Sequence, residues 1–75
     1  MTRLPLVSGR EVVKALRRDG FVVVRQKGSH IRLEKYLPDE TLKITVPNHQ
    51  EIVPGTLKSI LNAARLSVDD LIELL

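Results

Sequence analysis

The apolar residues near the start of the chain recur at helical spacing. They follow Ser8-Gly9-Arg10-Glu11, in which the serine and the glutamate are placed as in a capping box. The helical stripe consists of Val12, Val13 and Leu16. Gly20 comes after the stripe and is expected to end the helix. The pattern therefore predicts a first helix between Ser8 and Gly20.

After Gly20 the pattern changes from helical spacing to alternation. Residues 21–25 are aromatic and β-branched, which favours a strand, and Lys27-Gly28 is typical of a tight turn. Residues 29–35 and 42–46 alternate polar and apolar side chains, which predicts two half-buried strands. Their core-facing residues are Ile31, Leu33, Leu42, Ile44 and Val46. Because both connections are short, the three strands are expected to form an antiparallel meander.

A second apolar stripe at helical spacing lies in the C-terminal half. It consists of Leu57, Ile60, Leu61 and Ala64, and it predicts a helix that begins near Pro54-Gly55. Ser67, followed by two aspartates, predicts the N-cap of a short last helix. The expected class is α+β, in the order α-β-β-β-α with a short C-terminal helix. Both main helices would cover one face of a three-stranded antiparallel sheet and leave the other face to water.

The composition narrows the classes of function. A chain of 75 residues leaves room for one small domain, 1–75, with a thin core and an open active site. With no cysteine and only two histidines we expect no metal site, and nothing in the sequence calls for a cofactor. The longest apolar run is the four residues Phe21–Val24, far short of the roughly 20 that span a bilayer. We therefore expect a cytoplasmic protein without membrane contact.

The charge is distributed unevenly between the two halves. Residues 1–36 hold nine Lys and Arg against three acidic residues, a net +6, whereas residues 37–75 hold three against six, a net −3. A basic half suggests a surface for a polyanion such as nucleic acid. The competing interpretation is that the charges only keep a small domain in solution.

One histidine stands out among the residues predicted to face water. His30 follows the turn at Gly28, where glycine leaves the backbone open to an approaching phosphate. Cations of the same hairpin are suited to hold that phosphate by charge-assisted hydrogen bonds, namely Arg25, Lys27, Arg32 and Lys35. A neutral imidazole beside the phosphate can act as a general base on a ribose 2′-hydroxyl. Alternatively, His30 and Arg32 are simply the polar residues that any open sheet face carries.

Two neighbours of this pattern are candidates for supporting roles. Ser29 offers a hydroxyl and a backbone amide that can orient a phosphate. His49 lies in the loop before the second helix, where a histidine more often caps or packs than catalyses. Asn48 and Gln50 beside it can close that loop by hydrogen bonding to the backbone.

Four short segments, taken in order, resemble the HicA-type toxins. They are Arg-Asp-Gly-Phe at Arg18–Phe21, Lys-Gly-Ser-His at Lys27–His30, Val-Pro-Asn-His at Val46–His49 and Gly-Thr-Leu-Lys-Ser-Ile-Leu at Gly55–Leu61. The resemblance covers about residues 7–75. It implies a small fold like that of double-stranded-RNA-binding domains, and an mRNA endoribonuclease (an mRNA interferase) that acts without the ribosome. It also implies a HicB-type antitoxin as the inhibitory partner.

The resemblance carries residue roles with it. The family's Gly-Ser-His motif falls on Gly28, Ser29 and His30, which makes His30 the catalytic histidine, and the second family histidine falls on His49. The chain departs from the family where Arg65 stands in place of a common glycine after the long helix. A second departure is that Leu71 or Ile72 occupies the place of an aromatic residue in the last helix. Neither departure touches the histidine motif.

These residues are compatible with three alternative functions. The first is a metal-independent endoribonuclease in which His30 takes the proton from a 2′-hydroxyl. The second is a non-catalytic RNA-binding module that uses the same basic hairpin. The third is a protein-interaction domain whose contact is the acidic and apolar end, Ser67–Leu75. Cleavage of RNA separates the first from the other two.

Overall fold

The computed structural model describes residues 3–75 of the chain. Within this range, local capping sets the ends of the first helix. Helix α1 spans Gly9–Arg18. The Ser8 hydroxyl accepts a hydrogen bond from the Glu11 N–H at 3.1 Å, and the Ser8 N–H donates to the Glu11 carboxylate at 2.9 Å. This reciprocal pair is the predicted capping box. Gly20, with a φ of +106°, turns the chain from the helix into the sheet.

The three strands form an antiparallel meander. Strand β1 spans Val22–Lys27, β2 spans His30–Tyr36 and β3 spans Thr41–Pro47, in the spatial order β1-β2-β3. Gly28 opens the two-residue turn between β1 and β2 with a φ of +58°, which favours glycine at this position. The order of strands confirms the prediction, and β1 runs two residues further than the sequence indicated.

Two more helices follow the sheet. Helix α2 spans Pro54–Ala64, with its proline in the first turn, and α3 spans Val68–Leu74 behind a second capping box formed by Ser67 and Asp70. The Asp70 carboxylate accepts the Ser67 N–H, and this hydrogen bond lowers the pKa of Asp70. None of the helices within residues 3–75 has the length and apolar content needed to cross a lipid bilayer.

The core lies between the sheet and the helices. Every residue predicted to face it from β2 and β3 is buried, as is the apolar stripe of α2. The largest fully buried side chains are Phe21, Leu16, Leu33, Leu57, Leu61 and Leu71. On the opposite face of the sheet, the alternate residues of β2 and β3 are exposed or half-buried. This arrangement confirms the predicted α+β class with one open sheet face.

The residue after α2 adopts a backbone conformation that usually selects glycine. Arg65 has a φ of 60° and a ψ of 37°, and it is the only non-glycine residue with a positive φ among residues 3–75. Its guanidinium donates to both carboxylate oxygens of Glu40, at 2.7 and 2.9 Å. The bidentate ion pair offsets part of the cost of the left-handed conformation.

Candidate active site

A cleft of about 220 Å³ lies on the open face of the sheet, at the end where β1 turns into β2. It is lined by Arg25, Lys27, His30, Arg32 and Thr45. Strand pairing explains this grouping, because residues directly opposite each other in a sheet point to the same side. Lys27 pairs with His30, and Arg25 pairs with Arg32. Thr45 of β3 pairs with Arg32 from the other side.

A β-bulge at Val24 determines which face the cations of β1 occupy. Alternation counted from buried Phe21 would place Arg25 and Lys27 on the helix side of the sheet. The register shifts between Val23 and Arg25, so that the residues after Val24 change face. As a result, Arg25 and Lys27 share the open face with His30.

The cations of this cleft have no partner among the residues that the structure describes. In the described range 3–75, the side chains of Arg25, Lys27 and Arg32 make no hydrogen bond or ion pair with another residue. Arg25 and Arg32 are also cross-strand neighbours, and like charges in that position destabilise a sheet. A bound anion would remove this repulsion and use the free N–H donors. The charge and the free donors of the cleft are suited to an anionic group such as a phosphodiester.

His30 lies among these cations with its side chain exposed to solvent. It is the first residue of β2, directly after the turn, and the strand backbone fixes its direction. Apart from Gly28 and its two chain neighbours, no described residue has an atom within 4 Å of the position that a β-carbon on Gly28 would take, so the space above the turn is open. An imidazole in this place can reach a phosphate that the surrounding cations hold.

Lys35, predicted to belong to the phosphate-binding group, lies elsewhere. It follows the core-facing residues Ile31 and Leu33 in the alternation of β2. Its Nζ atom donates to the Asp19 carboxylate at 3.1 Å and lies 5.7 Å from the centre of the Phe21 ring. The structure therefore does not bring Lys35 together with His30, because this ion pair holds Lys35 on the other side of the sheet.

The supporting candidates, Ser29 and His49, do not belong to the lining of the cleft. Ser29 is in the turn, where its carbonyl oxygen accepts the Asn48 N–H at 2.6 Å. The carbonyl oxygen of His49 accepts the Gly9 N–H at 2.8 Å. These bonds hold the loop after β3 against the turn and against α1, while the cleft lining includes neither Ser29 nor the imidazole of His49.

Thr45 lines the cleft and was not among the predicted site residues. The signal was present in the alternation of β3, which places Thr45 between the core residues Ile44 and Val46. An outward threonine is common on any sheet, so only the pairing with Arg32 distinguishes it.

Further along the same face of the sheet, the Tyr36 hydroxyl donates a hydrogen bond to the Glu34 carboxylate at 3.1 Å. This hydrogen bond raises the pKa of Tyr36.

A family model for the HicA toxin of bacterial toxin–antitoxin systems matches residues 9–66. The chain belongs to the HicA family. The matched range begins with α1 and includes every residue of the His30 cleft. A comparison with curated proteins gave no match. Within residues 3–75 of this HicA-family chain, no three His, Asp, Glu or Cys side chains converge as a metal site would require.

Proposed function

We propose that this HicA-family toxin is an endoribonuclease that uses His30 as its general base. The observation that carries the proposal is the position of His30 in a solvent-open cleft with three cations that have no partner in the described chain. RNA combines a phosphate, which suits those cations, with a neighbouring 2′-hydroxyl, which suits a base. The family membership supports a toxic activity of this kind.

The proposed reaction is an internal displacement at phosphorus. His30 accepts the proton of the 2′-hydroxyl, and the 2′-oxygen forms a bond to the adjacent phosphorus. The bond from phosphorus to the 5′-oxygen of the next nucleotide breaks, and that oxygen takes up a proton from the solvent that reaches the open cleft. The products are a 2′,3′-cyclic phosphate end and a 5′-hydroxyl end.

The cations of the cleft have a defined part in this step. Negative charge increases on the non-bridging phosphate oxygens as the 2′-oxygen attacks, and donors already in place stabilise that charge. Arg25 and Arg32 face each other across the two strands, and Lys27 lies next to His30. We propose that Gly28 and Ser29 let the phosphate approach the backbone of the turn. Each of these groups belongs to the chain, so the step needs no metal ion.

We further propose that a HicB-type antitoxin controls the toxin in the cell. The family model describes one member of a toxin–antitoxin pair, which supports a protein partner. The free cations of the cleft favour a partner that presents carboxylates to them, because such a partner would also compete with RNA.

Analysis of RNA ends tests the proposed function. Purified protein would be incubated with a long mRNA in EDTA, and the new 3′ ends would be identified chemically. We expect cleavage, with cyclic phosphate at the 3′ ends. RNA that stays intact while it binds the protein would contradict the proposal and favour the non-catalytic RNA-binding module.

A further inference from the structure

A second cleft, of about 310 Å³, lies on the helix side of the same end of the β1–β2 hairpin. It is lined by Arg10, Val13, Lys14, Gln26, Ile31 and Asn48. The three residues of α1 in this lining are spaced i, i+3 and i+4, so they lie on one face of the helix. Gln26 reaches the cleft from β1, because it pairs with core-facing Ile31. The cleft therefore joins a helix face, a strand edge and the loop after β3.

The lining combines three kinds of chemistry. Ile31 is buried and Val13 half-buried, so they form an apolar floor. Gln26 and Asn48 contribute exposed amides, each with a donor and an acceptor. Arg10 and Lys14 contribute exposed cations. Across the described part of the chain, these four polar side chains have no hydrogen bond or ion pair, so their capacity is free for a ligand.

The two clefts lie back to back across the hairpin. Lys27 and His30 face the first cleft, while their chain neighbours Gln26 and Ile31 face the second. β1 is an edge strand, and each of its six residues is exposed. The turn at Gly28 is equally open. A flexible polymer bound in the first cleft can therefore continue round the edge of β1 into the second.

We propose that the second cleft binds a nucleotide of the RNA strand that flanks the cleaved phosphate. The base would lie on Val13 and Ile31, its edge would pair with the amides of Gln26 and Asn48, and Arg10 and Lys14 would hold a phosphate. This inference rests on the proposed function for the identity of the ligand as RNA. The second cleft would give the protein a preference among the four bases, which the cations of the His30 cleft do not provide.

Amide side chains are suited to this task. Asn and Gln can donate and accept at once, so they distinguish bases whose edges carry different donor and acceptor patterns. In the proposed function, the arginines and lysine of the His30 cleft would contact phosphate, which is the same in every nucleotide. Stacking on rings contributes little here, because the chain holds only one Phe, one Tyr and no Trp, and Phe21 is buried.

Binding of short RNAs to the full chain tests the inference. The His30→Ala variant would be used so that no RNA is cut, and NMR spectra would be recorded with hexanucleotides of adenylate, cytidylate, guanylate and uridylate. We expect the side-chain amide resonances of Gln26 and Asn48 to shift. We also expect the affinities for the four RNAs to differ by about tenfold between the best and the poorest.

Substitutions separate contacts to the base from contacts to the phosphate. Gln26→Ala and Asn48→Ala should reduce the difference among the four RNAs. Arg10→Ala and Lys14→Ala should weaken all four alike and lower the slope of log affinity against log salt by about 0.7 per cation. Asn62→Ala and Lys58→Ala remove an exposed amide and an exposed cation from α2, so they are matched controls that should change neither property.

Three outcomes would overturn the inference. The four RNAs could bind equally well, the amide variants could weaken all four alike, or the RNAs could shift resonances of the His30 cleft alone. Failure of the proposed function is distinct, since it would appear as wild-type protein that cuts no RNA. If the wild type cuts RNA but the amides of the second cleft do not respond, the inference fails and the proposed function stands.

Discussion

Two groups of cations in this molecule contrast with each other. On the open face, at the β1–β2 turn, Arg25, Lys27 and Arg32 surround His30 and have no partner within residues 3–75. Near the far end of α1, by contrast, two cations have partners. Arg18 donates to the Leu74 carbonyl oxygen at 2.6 Å, and Lys35 donates to Asp19.

This contrast distinguishes cations that have a partner in the fold from cations that are available to a ligand. A paired cation on the surface contributes at most modestly to stability, but its geometry is already explained by its partner. Unpaired cations that are neighbours in a sheet repel each other, and this repulsion raises the free energy of the folded state. Binding of an anionic ligand is the simplest reason for their placement. Net charge along the sequence does not make this distinction, because Lys35 and Arg32 belong to the same basic half.

The largest expected effect comes from a change in the substrate. An RNA with 2′-deoxyribose on the 5′ side of the cut lacks the group that attacks phosphorus, so we expect no cleavage at that site, measured by gel electrophoresis. Its affinity for His30→Ala protein should match that of the all-ribose RNA. Cleavage at the deoxy position would show that the 2′-hydroxyl is not the nucleophile.

Gly9→Ala should damage the fold behind the cleft. A β-carbon at Gly9 would overlap the carbonyl oxygen of Pro47, the residue that pairs with His30. We expect a loss of about 1–3 kcal/mol in the free energy of unfolding, measured with urea. Gly55→Ala is the control, because its added carbon would have no described atom within 4 Å other than those of its chain neighbours and the backbone of its own helix. Equal unfolding midpoints for the two variants would contradict the close approach of α1 to β3.

Arg32→Ala and Lys35→Ala compare the two regions on a single strand. Arg32→Ala should weaken RNA binding and lower its salt slope by about 0.7, with stability changed by less than about 0.5 kcal/mol. Lys35→Ala should leave RNA binding intact. It should lower the free energy of unfolding by about 1 kcal/mol, because the contacts of Lys35 with the Asp19 carboxylate and the Phe21 ring are lost. Fluorescence anisotropy and urea unfolding provide the two readouts. If both variants weaken RNA binding alike, the distinction between the regions fails.

A further effect on stability is expected at Arg65, which is paired with Glu40. Arg65→Gly and Arg65→Ala both lose the ion pair with Glu40, but only glycine adopts a φ of 60° without a steric cost. The glycine variant should therefore be more stable than the alanine variant by about 1 kcal/mol, measured by thermal unfolding. Equal stability would mean that the backbone relaxes from the left-handed conformation.

The fold followed from local signals that act within a few residues. Ser8 with Glu11, Gly20, Gly28 and Ser67 each fix one boundary by capping or by positive φ, and the alternation in β2 fixes the core face. The α-β-β-β-α order could therefore be predicted without knowledge of distant contacts. Arg65 illustrates the limit, because its left-handed conformation is supported by Glu40, 25 residues away.

The site was less predictable, because strand register depends on pairing. The grouping of Arg25, Lys27 and Arg32 near His30 matches the sequence-based hypothesis, although their role in binding RNA stays a prediction. Lys35 was misplaced because proximity along a hairpin does not define the face of the sheet. Thr45 was missed for the related reason that its neighbour, Arg32, lies on another strand. The bulge at Val24, which turns Arg25 and Lys27 outward, had no distinct signature in three consecutive valines.

The central claim is that His30 acts as a base on RNA held by the cations around it. The most direct measurement compares the wild type and His30→Ala on one RNA in EDTA, with cleavage rate, affinity and unfolding measured in parallel. We predict that His30→Ala lowers the cleavage rate by about 10²–10⁴-fold and leaves affinity and unfolding unchanged, because the side chain is exposed. Cleavage by His30→Ala at the wild-type rate would contradict the claim, and so would a loss of cleavage explained entirely by lost RNA binding.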